Sequence, residues 1–395
     1  MKVNRLPTHT HIKTAHRFIQ TKSQDMQQND KIQLLTVQAV QLLREMVAIP
    51  SPSFDEDKVC TYISNWLNDK GITHKRIGNN LLARLSEQPT VNKENFRGKP
   101  TLMLCAHIDT VAPCEGYTFD PYKPENCPAD MVQGLGSNDD GASVVSMTAA
   151  FRYFTENAEN CPDLLLVLTC EEERSGVNGM TGLWPEIKDT VNYAIVGEPT
   201  CMKAATAERG LLVIDATAHG VSGHAARNEG VNAISIALED ITVLQNHIFE
   251  RISPRMGKVN LNVTQINAGS AHNVIPDICT FVIDIRPTEQ YSNEEILNDL
   301  QNICKSELKA RNLKNRSSAT YTDSPLQKTA ETLGIETFSS PTTSDWMRIS
   351  CDAVKMGPGD SSRSHRKDEF VTVKEIEGGI NNYIKYIYRL DTSKI

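Results

Sequence analysis

The sequence predicts an α/β fold, a mostly parallel sheet sandwiched by helices and interrupted by a smaller α+β unit. Three observations carry this. Strand-sized apolar runs at 101–105, 164–170 and 193–196 alternate with helix-compatible stretches such as 142–154, as strands buried on both faces do. After Arg209 the rhythm changes to β-α-β-β-α, which fits a split-βαβ insertion. The 395 residues allow two or three domains, so an inserted unit has room for its own core.

The elements follow in order. From Lys31, the apolar positions Leu35, Ala39, Leu42, Leu43 and Met46 recur at helical spacing until Pro50 stops them. Ser53 with Glu56 forms the pattern of a capping box, opening a second helix whose stripe is Val59, Ile63, Trp66 and Leu67. In the insertion, strand 211–217 precedes helix 231–251, strands 259–266 and 279–286, and helix 293–310; a fourth strand is expected near Ala319. The basic stretch 309–318 reads as the hinge of return. The expected domains are a disordered extension over 1–30, a larger domain over 31–207 and 319–395, and an inserted domain over 208–318.

Composition narrows the function. With 41 Lys+Arg against 49 Asp+Glu, the net charge of −8 argues against nucleic acid or anionic membrane as a partner. The longest apolar run is strand-sized, far from the roughly 18 to 20 residues needed to span a bilayer. Residues 1–25 have no signal-peptide core and read as a disordered tail, or as sequence upstream of a true start at Met26, or less readily as a transit peptide. Ten scattered cysteines without C-x-x-C read as reduced thiols of a cytoplasmic protein.

The chemistry lies where strands end, because open parallel sheets gather functional residues beyond their carboxyl edges. The strand 101–105 runs into A-H-I-D, giving His107 and Asp109, a pair in which the carboxylate orients an imidazole or is merely its surface neighbour. Asp139 and Asp140 follow in G-L-G-S-N-D-D-G-A. A phosphate loop fits poorly there, since G-K-[ST] is missing and two carboxylates would repel the phosphate. Strand 164–170 opens into Glu171, Glu172 and Glu173, either a solvated edge or a cation site; strand 193–196 leads to Glu198 in V-G-E-P; His365 returns late in a glycine-rich stretch. Nitrogen and oxygen donors without thiolates suit zinc, cobalt or manganese, and a shared carboxylate allows two ions. No G-x-S-x-G nucleophile elbow is present.

The ordered series A-H-I-D-T-V, G-x-G-x-x-D, T-x-E-E-E, V-G-E-P, G-x-x-G-H-A-A, N-V-I-P, D-I-R-P, T-S-D and S-H-x-x-D-E resembles the dinuclear zinc amidohydrolases and peptidases. That family includes acetylornithine deacetylase, succinyl-diaminopimelate desuccinylase, aminoacylase and the glutamate carboxypeptidases. The resemblance spans about residues 35 to 390 and implies a zinc-exopeptidase-like fold with a ferredoxin-like lid. It implies two divalent ions per subunit, one held by His107, Asp139 and Glu198, the other by Asp139, Glu173 and His365, with Asp139 as bridge and a cis peptide after it. Glu172 is then the general base and Asp109 the partner of His107, although a one-residue slip would promote Glu171 and Glu172 instead.

His224 resembles the family histidine that reaches a neighbouring subunit's site, which implies a homodimer through the insertion; a surface histidine is the alternative. Asn273 and Arg286 resemble contacts to a substrate carboxylate, with a structural salt bridge as the competing role for Arg286. Ser344 with Asp345, and Gly357 with Gly359, resemble loops on the substrate side, although T-T-S-D stands where some relatives have G-T-S-D. The implied activity is removal of an acetyl or succinyl group from a small N-acyl amino acid, such as N-acylornithine or N-acylcitrulline in arginine biosynthesis. The alternatives are N-succinyl-diaminopimelate in lysine biosynthesis, a di- or carboxypeptidase of the same fold, and a noncatalytic binding module.

Overall fold

The computed structural model describes residues 9–227 and 229–390, with side chains placed from residue 28 onward. The first helix is His9–Val47, so the chain is helical well before Lys31 and the expected disordered extension gives way to helix from His9. The physical reason is that no glycine or proline occurs between Pro7 and Pro50, and a polar composition does not by itself stop a helix. Residues 1–8 of that extension lie outside the described residues. The stripe Leu35, Ala39, Leu42, Leu43 and Met46 is buried as its spacing requires.

The second helix, Asp57–Asp69, forms, but its capping box does not: Glu56 stands at the N-cap without a side-chain cap. Ser53 Oγ instead donates to Asp109 Oδ2 at 2.7 Å, and Glu56 Oε1 accepts from the backbone N–H groups of Phe54 at 2.8 Å and Glu171 at 3.1 Å. Both residues are drawn toward the strand ends described below.

A nine-stranded sheet forms the main body. At its centre Asp163–Thr169, Thr101–His107, Tyr193–Val196 and Asp352–Lys355 run parallel in that order. Antiparallel neighbours flank them, with Asn80–Arg84 and Lys75–Ile77 on one side and Ala204–Glu208 and Ser318–Ala319 on the other. The central strands are buried on both faces, which is why they read as continuous apolar runs. His9–Val47, Gly141–Glu156 and Val373–Arg389 contribute to one packed cluster with this sheet. Because His107 pairs with Thr169, and Cys105 with Val196, the segments after these strands leave at one edge.

The insertion is a four-stranded antiparallel sheet in the order Asn260–Ala268, Ile278–Arg286, Leu212–His219, Glu307–Ala310. Alternate residues of Leu212–His219 and Ile278–Arg286 are buried against the helices Ala233–Asn246 and Asn293–Ile303 in a core of their own. One expected boundary is corrected. The helix expected over 293–310 ends at Ile303 and the fourth strand is Glu307–Ala310, because the buried Asp240 carboxylate takes the N–H groups of Lys305 and Ser306 and the Ser306 hydroxyl, turning the chain into an extended path. Ser318–Ala319, placed by the sequence in the small sheet, pairs with Ala204–Glu208 in the large one.

Candidate metal centre

His107 closes its strand with the imidazole buried. Its Nδ1 donates to the Asp109 backbone carbonyl at 2.9 Å, with the Asp109 carboxylate at 3.4 Å, so Nε2 faces Asp139 Oδ1 at 3.2 Å. The other oxygen of Asp139 lies 3.8 Å from His365 Nε2, and that same nitrogen is 3.0 Å from Glu173 Oε1. Asp139 thus stands between two imidazoles with one oxygen toward each. The Asp139–Asp140 peptide is cis.

Asp109 has a second task. Its Oδ1 accepts from the N–H of Glu172 at 3.0 Å and its Oδ2 from the N–H of Glu173 at 3.1 Å. This fixes the turn after Asp163–Thr169 and separates the three glutamates. Glu171 is turned into the protein, where Asn178 donates to it through both its backbone N–H and its side chain. Donor atoms of His107, Glu172 and Glu198 lie within 4.8 Å of one another, as do those of His107, Asp139 and Glu173. The two groups share His107, so they form one continuous cluster.

The electrostatics of the cluster call for cations. Burial, reinforced by the charges of Glu198, Asp345 and Glu173, pushes Glu172 well above the carboxylate range, and burial with Asp139 nearby does the same to Glu198. Burial works against ionised Asp139 too, but the His107 imidazole holds it below its ordinary value. Hydrogen bonding to Glu173 raises His365 to about 9. Acids that must capture protons, set among imidazoles with a nitrogen aimed at them, are a donor set that divalent ions fit. Cys105 lies below the cluster, fully buried, and burial keeps its thiol protonated, so no thiolate joins the donors.

Most residues expected on the substrate side have hydrogen-bonding partners of their own within the chain. His224, exposed on the short strand Gly223–His224, accepts at Nδ1 from the N–H of Ala226. Asn273 is exposed, with its carbonyl bound to the N–H of Ala225. Arg286 is held by its strand neighbour Asp284 through two hydrogen bonds of 2.9 and 3.1 Å, the salt bridge that competed with a substrate role. Ser344 is buried and donates to Glu208, which pairs with the buried Lys355 at 3.0 Å. Gly357 packs beneath the Glu198 backbone, where a Cβ would come within 2.6 Å of the Glu198 carbonyl and 2.4 Å of Ser143 Oγ. A cavity of about 260 Å³ opens beside Glu198, lined in part by Thr200, Cys201, Ser340, Thr342 and Lys355.

Two buried acids escaped the sequence reading. Glu56 was taken for a helix cap and instead supports the Glu171 backbone. Glu369 stood unassigned in S-H-x-x-D-E, and its carboxylate receives the N–H groups of Gly136, Asn138 and Asp139. Its place four residues after His365 was the available signal.

The peptidase dimerisation domain family matches residues 206–312, and peptidase family M28 matches residues 80–194. A peptidase M20 domain-containing protein of Schizosaccharomyces pombe is 27% identical over 91% of this chain and 88% of its own length. The acetylornithine deacetylase of Proteus mirabilis is 27% identical over 86% of this chain and 93% of its own. Among solved structures, a dinuclear metal-binding peptidase of the M20 family from Bacillus subtilis superposes with a TM-score of 0.69 at 15% identity, covering 91% of this chain and 99% of that one. Matches along nearly the whole chain, on a fold that collects imidazoles and carboxylates at one sheet edge, lead to one conclusion: the chain is a metal-dependent amide hydrolase whose sequence is similar to that of M20 peptidases over nearly its whole length.

Proposed function

We propose that this hydrolase removes an acetyl or succinyl group from a free amino acid, with N-acylornithine or N-acylcitrulline as the substrates of first choice and arginine biosynthesis as the setting. The observation that carries the hydrolytic chemistry is Asp139, with one carboxylate oxygen toward His107 and the other toward His365. The choice of an acyl amino acid is supported by the full-length match to an acetylornithine deacetylase. N-succinyl-diaminopimelate remains the next substrate to test.

We assign one ion to His107, Asp139 and Glu198 and the other to Asp139, Glu173 and His365, with zinc first and cobalt or manganese as substitutes. Divalent ions held there supply Lewis-acid polarisation of the amide carbonyl and activation of water. Glu172, beside the ligands but bound to the frame only through its backbone, accepts the proton of the attacking water at its carboxylate. It then returns that proton to the leaving amine nitrogen. Asp109 keeps His107 oriented and holds the Glu172–Glu173 turn. His224 donates to the oxygen of the carbonyl under attack.

Within one chain His224 is bound to Ala226 rather than to the acid cluster, so this role requires the lid of a second subunit. Support for such a homodimer comes from Asn260–Ala268, an outer strand with no further partner among the described residues, and from the exposed Leu238, Ile266 and Val274 of the same insertion, surfaces that call for cover. The lid is assigned residues 208–318. A cytoplasmic setting is supported by ten unpaired cysteines; among the described residues no helix is long and apolar enough to cross a membrane.

The deciding experiment measures kcat/KM for N-acetyl and N-succinyl derivatives of ornithine, citrulline and diaminopimelate, and for dipeptides, with zinc or cobalt added. Turnover should be fastest for an acyl amino acid. Faster turnover of any dipeptide than of every acyl amino acid overturns the choice in favour of a peptidase.

A further inference from the structure

Asp139 has two oxygens directed at separate imidazoles, so its backbone must be held against rotation if both are to reach a ligand at once. The loop that carries it, Gly134 to Asp140, contains no helix or strand to do so, and the N–H groups of Gly134, Gly136, Asn138 and Asp139 would otherwise be orphaned in the interior. One residue takes them. Glu369, 2% exposed, accepts at Oε1 from the N–H of Asn138 at 2.9 Å and of Asp139 at 2.9 Å, and at Oε2 from the N–H of Gly136 at 3.1 Å. Its own backbone carbonyl accepts from the N–H of Gly134 at 2.8 Å. Charge-assisted bonds of this kind are the strong ones, and three on one carboxylate define the loop's position in space.

The same segment carries His365, which faces Glu173 and the outer oxygen of Asp139. Asn138 reinforces the link, its side chain bonding the Asp360 backbone twice: Nδ2 donates to the Asp360 carbonyl at 3.1 Å and Oδ1 accepts from its N–H at 2.9 Å. One stretch of chain therefore supplies a ligand candidate to one side of Asp139 and anchors Asp139 from below.

We infer that Glu369 is a positioning residue that sets the separation of the two ions by clamping the backbone of Asp139. The inference rests on the reading of Asp139 as the shared ligand. Loss of the clamp leaves every ligand side chain in place but lets Asp139 turn toward one imidazole at the other's expense. The two ions then bind unequally and stop acting as a pair.

The test titrates cobalt into metal-stripped wild-type protein and into Glu369→Gln, Glu369→Ala and Asp139→Asn. It follows visible absorption for affinity and EPR for coupling between neighbouring ions, and the unfolding midpoint of each stripped protein checks folding. Wild type should take up two cobalt ions with a coupled signal, and Asp139→Asn should lose the coupling. Glu369→Ala should bind the weaker ion roughly 10- to 100-fold less tightly, as loss of a ligand's supporting partner does elsewhere, with diminished coupling. Glu369→Gln, which keeps an acceptor for Asn138 and Asp139 but turns an amide toward Gly136, should fall between. Wild-type affinity and coupling in Glu369→Ala, alongside lost coupling in Asp139→Asn, overturns the clamp and spares the bridge. An uncoupled wild type overturns both. If the alanine variant does not fold, wild-type cobalt affinity in Glu369→Gln is the result that overturns the clamp.

Discussion

His107, Asp139, Glu173 and His365 meet inside one chain, whereas His224, Asn273 and Arg286 sit on the inserted domain with hydrogen-bonding partners of their own. In the first group His107 and Glu173 follow adjacent strands of one sheet, Asp139 and His365 come from loops, and the buried Asp109 and Glu369 brace them. The second rides on a small sheet with a separate core, joined to the main sheet by two crossings of the chain. Donors that hold ions must be fixed before the ions arrive, while groups that touch a substrate have to let it enter. The contrast predicts that changes in the first group strike metal and chemistry together within one chain, and changes in the second touch catalysis only through the assembly of two chains.

The largest effect is expected at Glu172. Glu172→Ala should lower kcat by about 10²- to 10⁴-fold, the range for a lost general base, with the metal content intact. Near-normal turnover would show that the three glutamates are read in the wrong register. His224→Ala should lower kcat by about 10²- to 10³-fold if it supplies the carbonyl donor. Mixing it with Glu172→Ala separates the two regions: if His224 serves the neighbouring subunit, random two-fold pairing restores about a quarter of wild-type activity from two inactive proteins. No recovery after verified exchange of subunits would place His224 outside the neighbour's site.

Asp109→Asn should weaken metal binding or turnover by roughly 10- to 100-fold, because the orientation of His107 and the Glu172–Glu173 turn both depend on it. A smaller effect is expected from pH. In metal-free protein, His365 titrates near 9, raised by Glu173 from an unfolded value of about 6.5. Its stabilising contribution is therefore complete below about pH 6.5 and lost as pH rises through 9. The melting temperature of the stripped protein should fall across that window, less steeply in His365→Ala; equal slopes in the two proteins would assign the effect to another group. Arg286→Ala should cost least, about 0.2 to 1 kcal/mol for a partly exposed pair, with KM little changed. A tenfold or greater rise in KM would return Arg286 to the substrate.

Much of the site was legible because its residues follow directly on strands whose apolar runs are unmistakable. His107, Glu172, Glu173 and Glu198 fall just past or at the ends of Thr101–His107, Asp163–Thr169 and Tyr193–Val196. The helix end at Ile303 and the missing cap of Asp57–Asp69 share a cause in long-range hydrogen bonds that local pattern does not contain. Asp240 stops a helix that propensity would have continued to residue 310, and Asp109 and Glu171 draw Ser53 and Glu56 away from the helix end they were matched to. Spacing within a segment reveals which face is buried, but not which distant carboxylate will claim a backbone N–H.

The uncapped start of Asp57–Asp69 has a practical consequence. Improving that helix end is an ordinary route to a hardier protein, since a good cap adds about 1 kcal/mol. Here Ser53 and Glu56 already serve Asp109 and Glu171, so a redesign that returned them to the helix would loosen the turn bearing Glu172 and Glu173. Thermal endurance and turnover are coupled at this corner, and a screen for heat resistance alone would select enzymes that survive longer and work more slowly.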